Sequence, residues 1–228
     1  MSDLNFNWVK QNFETQKDFV FFDIGCANLE ASPSTEMMKH FPNAKYYAWE
    51  AANHWNDINA KCDNKEYAKK AGINYYHCAV SDIDGEVLIN PSISQFGKSH
   101  PWSSSIFKMH ENHSPAGKIY GNPYSVKSIR LETFCKENNL ISDFIHIDVE
   151  GAEFKVFQNM GEYKPKCIWA ETGVFDHYIT GITTKEFYDY MKSIGYYIIH
   201  SENDTLFCKN EFEFTPYIPL KKSVKPII

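Results

Sequence analysis

Two periods of hydrophobicity alternate along this chain. Short apolar runs such as Phe19-Val20-Phe21-Phe22-Asp23-Ile24-Gly25 and Phe144-Ile145-His146-Ile147-Asp148-Val149 are apolar on both faces, as buried parallel strands are. Between them, apolar positions recur at helical spacing. An amphipathic helix is expected within residues 1–18, with Phe6, Trp8, Val9 and Phe13 on its apolar side. The first strand, 19–25, is followed by a helix that Ser32 and Pro33 can open and Pro42-Asn43 ends. A second strand covers 44–50, a helix runs from Asn53 to Lys70 with Gly72 as its stop, and a third strand spans 73–80. After the turn 81–85 and a short strand at 86–89, the period is lost from 90 to 125. Residues 125–139 hold an extended piece and a helix. The strand ending at Asp148 follows, then a tight turn at Gly151 and a helix carrying Ala152, Val156, Phe157 and Met160. A strand at 166–171, a helix at 184–193 and paired strands at 196–200 and 205–208 complete the pattern, with 215–228 as a tail.

Alternation of this kind predicts an α/β fold with a mainly parallel sheet, helices on both faces and a closing antiparallel hairpin. We expect residues 19–214 to form one domain, with 1–18 packing on it and 90–125 acting as a cover or substrate loop. In such sheets ligands bind outside the carboxyl ends of the strands. That draws attention to Asp148, Glu150 and Glu153, three carboxylates gathered where a strand gives way to a helix. Glu153 could simply cap that helix, where negative charge is favoured. Asp148 and Glu150 at a strand end point to a cationic or hydrogen-bonding ligand, because burying unpaired acids is costly.

Other strand ends extend the picture. The first closes on Asp23, Gly25, Cys26, Ala27 and Asn28, where a glycine admits close approach to the backbone and a following helix start can offer N–H groups to an anion. The second ends in Glu50 and Ala51, an acid placed to accept hydrogen bonds from ribose hydroxyls. The third ends Ala79-Val80-Ser81, in position to meet an adenine. These features describe an adenosyl amino acid as well as a nicotinamide dinucleotide, although the full G-x-G-x-x-G fingerprint is absent.

The block Ile147-Asp148-Val149-Glu150-Gly151-Ala152-Glu153 resembles the signature of the FkbM family of S-adenosylmethionine-dependent methyltransferases. His146 stands where that family commonly has lysine, and Ala27 and Leu29 stand where its cofactor loop commonly has small residues. Weaker matches are Phe22–Gly25, Trp49-Glu50, Ala79–Ser81 with Asp84-Gly85, Ser103–Ile106 and the acid-ended strand at Glu171. The resemblance implies a Rossmann-like class I methyltransferase with a seven-stranded sheet, S-adenosylmethionine as cofactor and a hydroxyl acceptor, with a sugar as the leading class. On that reading Asp148 is the first candidate base and sits at the cofactor's methyl end, Glu150 is the second and His146 the third. Ser104, Ser105 and Glu171 are expected to grip substrate hydroxyls. No metal site is assigned, although Asp148, Glu150 and Glu171 could alternatively hold a divalent cation that polarises a diol.

The remaining composition narrows the partners. A net charge of −6 over 228 residues argues against a nucleic-acid partner. No apolar run reaches the roughly eighteen residues of a membrane span, and the first residues lack a signal pattern. Six scattered cysteines without a C-x-x-C pair suggest a reduced, cytoplasmic setting and no zinc site. His100, His110 and His113 fit no zinc spacing and read as solvated loop residues. Two other classes stay open: a nicotinamide-dependent oxidoreductase, and a non-catalytic module that binds an adenosyl cofactor.

Overall fold

The computed structural model describes residues 4–56, 63–94, 103–110, 118–173 and 175–219. In chain order, α1 (Phe6–Phe13) leads into β1 (Val20–Ile24), α2 (Pro33–His40), β2 (Lys45–Trp49), α3 (Asn64–Ala71) and β3 (Asn74–Tyr76). A run of short strands follows: β4 (Ala79–Ser81), β5 (Gly85–Ile89), β6 (Ser92–Ser94), β7 (Lys118–Tyr120) and β8 (Tyr124–Arg130). Then come α4 (Leu131–Asn138), β9 (Phe144–Ile147), α5 (Glu153–Gln158), β10 (Cys167–Glu171), α6 (Thr184–Ser193), β11 (Tyr196–Ser201) and β12 (Asp204–Lys209).

Seven strands form the central sheet, in the order β11-β12-β10-β9-β1-β2-β3. Strands β3, β2, β1, β9 and β10 run parallel, and β12 is antiparallel to both β10 and β11. This is the expected sheet with its closing hairpin. Paired residues share a face, so each face can be read across the register. Phe22, Ile145 and Ile168 align on one face and pack on Phe134, Val156, Phe157 and Phe187 from α4, α5 and α6. Phe21, Phe144 and Cys167 align on the other and meet Trp8, Val9, Phe13 and Met37 from α1 and α2.

Local chemistry sets the helix ends. Thr183 and Glu186 form a capping box on α6, and Asn5 and Asp63 cap α1 and α3 with their side chains. Gly72 closes α3 at φ +76°, a conformation glycine takes without strain. Ser32 does stand at the start of α2 but makes no capping bond with its side chain.

Two sequence expectations are corrected. The stretch 73–80 is two strands: β3 joins the central sheet, while β4 leaves it at His77-Cys78 and pairs with β8 in a separate sheet of order β4-β8-β5. The helix expected from Asn53 to Lys70 is a short 3-10 turn at Asn53–Asn56 and then α3, which begins only after Asp63; residues 57–62 lie outside the described residues. Among the described residues the aperiodic stretch is not all loop. It carries β6 and β7, and a bridge joins Asn90 to Ser105. His100 and His113 lie outside the described residues.

Phe22 is fully buried and its ring meets those of Tyr47, Trp49 and Phe134. Phe22→Ala should therefore destabilise the fold by roughly 3–5 kcal/mol, seen as a lower urea midpoint with an unchanged slope. A loss under about 1 kcal/mol would show that this cluster is not tightly packed.

Candidate active site

The loops after β1 and β9 lock together through their backbones. Gly25 has φ +78°, and a Cβ placed there would lie 1.8 Å from the carbonyl oxygen of Asp148. The Asp148 N–H in turn donates to Ile24 O at 2.9 Å, and the N–H groups of Gly25 and Cys26 both donate to Trp49 O. Next along each loop is a non-glycine residue in the left-handed region: Ala27 at φ +47° and Glu150 at φ +55°. Such backbone strain persists only where the surroundings enforce it.

These loops border a cavity of about 330 Å³ at the carboxyl ends of β1, β2, β9 and β10. Gly25, Cys26, Ala27, Asn28, Glu50, Ala51, Ala79 and Val80 lie on its wall. So do His146, Asp148 and Glu150, and so do Ser104, Ser105 and Glu171. The structure thus brings together residues from six separate parts of the sequence.

Asp23 and Ser81 do not lie on the wall. Asp23 is fully buried and accepts from the Ser34 N–H at 3.0 Å, while its other oxygen meets His146 Nδ1 at 2.9 Å. Ser81 is buried against Ser128, with the two hydroxyls 2.7 Å apart. His110 is likewise off the wall, on a strap whose backbone pairs with residues 177–179. Glu153 faces inward and its Oε1 accepts from the Val149 N–H at 2.9 Å, so it braces the turn rather than lining the cavity.

Hydrogen bonds fix the wall. Glu50 accepts from the N–H groups of Ala27 and Ala52, both at 2.7 Å, one on each carboxylate oxygen. Ser105 Oγ donates to Glu150 O at 2.8 Å, and the Tyr178 hydroxyl donates to Glu150 Oε2. Carboxylate oxygens of Asp148, Glu150 and Glu171 come within 4.8 Å of one another, close enough to share protons, grip hydroxyls or hold a cation. One Glu171 oxygen is buried without a hydrogen-bond partner.

Electrostatics follow from this crowding. Burial, then the charges of Asp148, Glu150 and Glu153, push the Glu171 carboxyl far above the usual range, so it holds a proton toward Asp148. Burial raises Glu50 to about 7, against the pull of its two N–H donors. For His146, burial favours the neutral ring, but the Asp23 hydrogen bond and charge, with Asp148 and Asp204, outweigh it and raise the pKa. For Asp23, burial opposes ionisation, and the bonds from His146 and Ser34 overcome it and lower the pKa. Each partner of the buried pair thus favours the charged form of the other.

Sequence reasoning missed four residues. Asn203 and Asp204, from the tip of the closing hairpin, reach the cavity wall, and Asp204 Oδ2 accepts from Trp169 Nε1 at 2.9 Å. Tyr178 and Asn64 support the two loops from behind. Only their polarity and their place in turns or helix starts could have flagged them.

Sheet order, a glycine-pinned loop after the first strand and an acid ending the second together define a Rossmann-like α/β fold. The family profile described as Methyltransferase FkbM domain matches residues 23–198, and the chain belongs to that family. Its cofactor is S-adenosylmethionine. No curated protein matches the chain. Among solved structures, precorrin-6y C5,15-methyltransferase from Geobacter metallireducens is 13% identical with a TM-score of 0.43, over 89% of this chain and 84% of that one. A putative caffeoyl-CoA O-methyltransferase from Staphylococcus aureus is 12% identical with a TM-score of 0.47, over 92% and 85%. Among the described residues no helix is long and apolar enough to cross a membrane.

Glu153 provides a test of the buried charge. It is fully buried, one of its oxygens has no partner, and burial raises its pKa from 4.5 to about 8. Between those two values the folded chain keeps a proton that the unfolded chain has released. Stability from this group is therefore complete below pH 4.5 and is lost as pH rises toward 8. Glu153→Gln keeps the acceptor for Val149 and removes the titration. Its stability relative to wild type should climb between about pH 5 and pH 8 in paired urea titrations. A flat difference would show that the carboxyl is not held neutral.

Proposed function

We propose that this chain moves a methyl group from S-adenosylmethionine to a hydroxyl of a small molecule or glycan, with a sugar as the acceptor class. The observation that carries this reading is the convergence of Asp148, Glu150 and Glu171 on the same cavity as the Gly25 loop and Glu50. Among the described residues on that wall there is no lysine or arginine to receive a phosphate or carboxylate. A neutral polyol suits a wall of hydrogen-bond acceptors better.

The cavity fits the cofactor in kind. Gly25 lets the loops after β1 and β9 close on one another, and Cys26, Ala27 and Asn28 would face the cofactor's amino-acid end. Glu50 would take the ribose hydroxyls, displacing or sharing the N–H bonds it now accepts, and Cys78, Ala79 and Val80 would flank the adenine. When bound, S-adenosylmethionine supplies a methyl carbon made electrophilic by its sulfonium sulfur. The chain's own part is to align the acceptor oxygen and remove its proton. Alignment alone can be worth up to about 7–11 kcal/mol.

Asp148 takes the proton in this scheme. Its neighbour Glu171 is already protonated and can grip a second hydroxyl. Glu150 is the second candidate, with one oxygen committed to Tyr178. The Asp23-paired imidazolium of His146 supplies a positive charge beneath the acids and is the weakest base of the three. Ser104 and Ser105, also on the wall, would face the acceptor.

The test is methyl transfer from S-adenosylmethionine to a panel of neutral, amino and carboxylated sugars, with nicotinamide dinucleotide binding as the control. A neutral sugar should be methylated on oxygen. Asp148→Asn should lower kcat by about 10²–10⁴-fold, the range of a lost general base, and Glu50→Ala should raise KM for the cofactor. Binding of the dinucleotide without S-adenosylmethionine, or full activity in Asp148→Asn, would overturn the reading.

A further inference from the structure

The loop after β1 departs from glycine at Ala27 and Leu29, and the structure holds it by other means. At φ +47°, Ala27 is in a region that side chains other than glycine enter at a cost. Both of its backbone polar groups are claimed by side chains from distant parts of the chain. Its N–H donates to Glu50 Oε2 at 2.7 Å, and its carbonyl accepts from Asn64 Nδ2 at 2.6 Å. Two residues on, the Leu29 N–H donates to Asn64 Oδ1 at 2.9 Å. A single amide therefore spans residues 27 to 29 as donor and acceptor.

Asn64 is itself well anchored. It is 1% exposed, and it opens α3 directly after Asp63, whose side chain accepts from the N–H groups of Lys65 and Glu66. Leu29 is fully buried and Cys26 nearly so, so the loop is also tied down by apolar contact. The Leu29 carbonyl accepts from Thr35 Oγ1 at 2.7 Å. Asn64 is not on the cavity wall.

We propose that Asn64 is a positioning residue for the cofactor. It clamps Ala27 in a conformation that glycine would adopt unaided, and so sets affinity for S-adenosylmethionine without touching it. The proposal rests on the reading that Gly25 to Asn28 receive the cofactor. The clamp replaces conformational permission with an imposed shape: the backbone angles are available to Ala27 only while its carbonyl and the Leu29 N–H have partners.

Calorimetric titration with S-adenosylmethionine tests this on wild type, Asn64→Ala, Asn64→Asp and the double variant Asn64→Ala with Ala27→Gly. Loss of the amide should weaken binding by about tenfold or more, the scale of one buried hydrogen bond, and raise KM for the cofactor while kcat at saturation stays within about twofold. Asn64→Asp keeps the acceptor for Leu29 but sets a carboxylate oxygen against the Ala27 carbonyl in a buried site, and should weaken binding at least as much as Asn64→Ala. Adding Ala27→Gly should recover part of the loss, because glycine reaches the left-handed angle without the clamp. A generic packing defect would not be rescued this way. Thermal unfolding of each variant shows whether it is folded, and if Asn64→Ala is not, Asn64→Asp carries the comparison. Wild-type binding with unchanged affinity in the folded variants would overturn the clamp. So would a loss that Ala27→Gly leaves in place. Wild type that binds no S-adenosylmethionine would overturn the reading of the loop itself, and the clamp's purpose with it.

Discussion

The carbonyl oxygen of Asp148 rests against the α-carbon of Gly25, at a distance no side chain could share. The rest of the site depends on that contact. It fixes how far the loop after β1 stands from the loop after β9, and therefore how the glycine loop and the carboxylate cluster face each other. It is made possible by the parallel pairing of β1 with β9, where Asp23 opposes His146 and Ile24 opposes Ile147. The same pairing places Asp23 beside His146, so one strand register delivers both the backbone contact and the buried ion pair beneath it.

Carboxylates dominate this edge because the fold sends five strand ends or loops to it. Glu50, Asp148, Glu150, Glu171 and Asp204 all reach the wall, and His146 is the one cationic partner among the described residues there. Such an arrangement costs desolvation energy, which the protein manages by neutralising some groups and bonding others. Glu171 keeps a proton; Glu50 accepts two backbone N–H groups; Glu150 accepts from Tyr178. A polar ligand that donates hydrogen bonds, or carries positive charge on sulfur, meets a surface already arranged for it.

Much of this was legible in the chain, and the failures have physical causes. The buried strands announce themselves because a parallel strand is apolar on both faces, and α6 could be bounded to the residue by its capping box and Gly195. Asp148, Glu150, Glu50 and Glu171 could be nominated because strand ends are where such folds bind. The partner of Asp23 was not legible, because strand alternation does not tell which neighbour a buried acid will find, and a histidine one strand away claims it. The break between β3 and β4 was invisible because Ile73 to Val80 holds no glycine or proline to mark where the chain changes sheets. Asn64 and Tyr178 act through tertiary hydrogen bonds over separations of more than twenty residues, which leave no local pattern.

The two ends of the described chain meet. Trp8 Nε1 donates to Thr215 O at 2.8 Å, Asn12 bonds Thr215 through its side chain, and the Asn5 N–H donates to the Tyr217 hydroxyl. Rings of Trp8 and Phe13 pack on Phe214. These contacts join residues about two hundred positions apart, among the longest loops the chain can close. During synthesis α1 is made long before residues 214–217, so the Trp8 indole gains its acceptor on Thr215 only when that segment joins the fold. Phe13 meets Phe19 and Phe144 as well, so the first helix ties the lead into β1, the middle strand β9 and the 214–217 segment into one cluster.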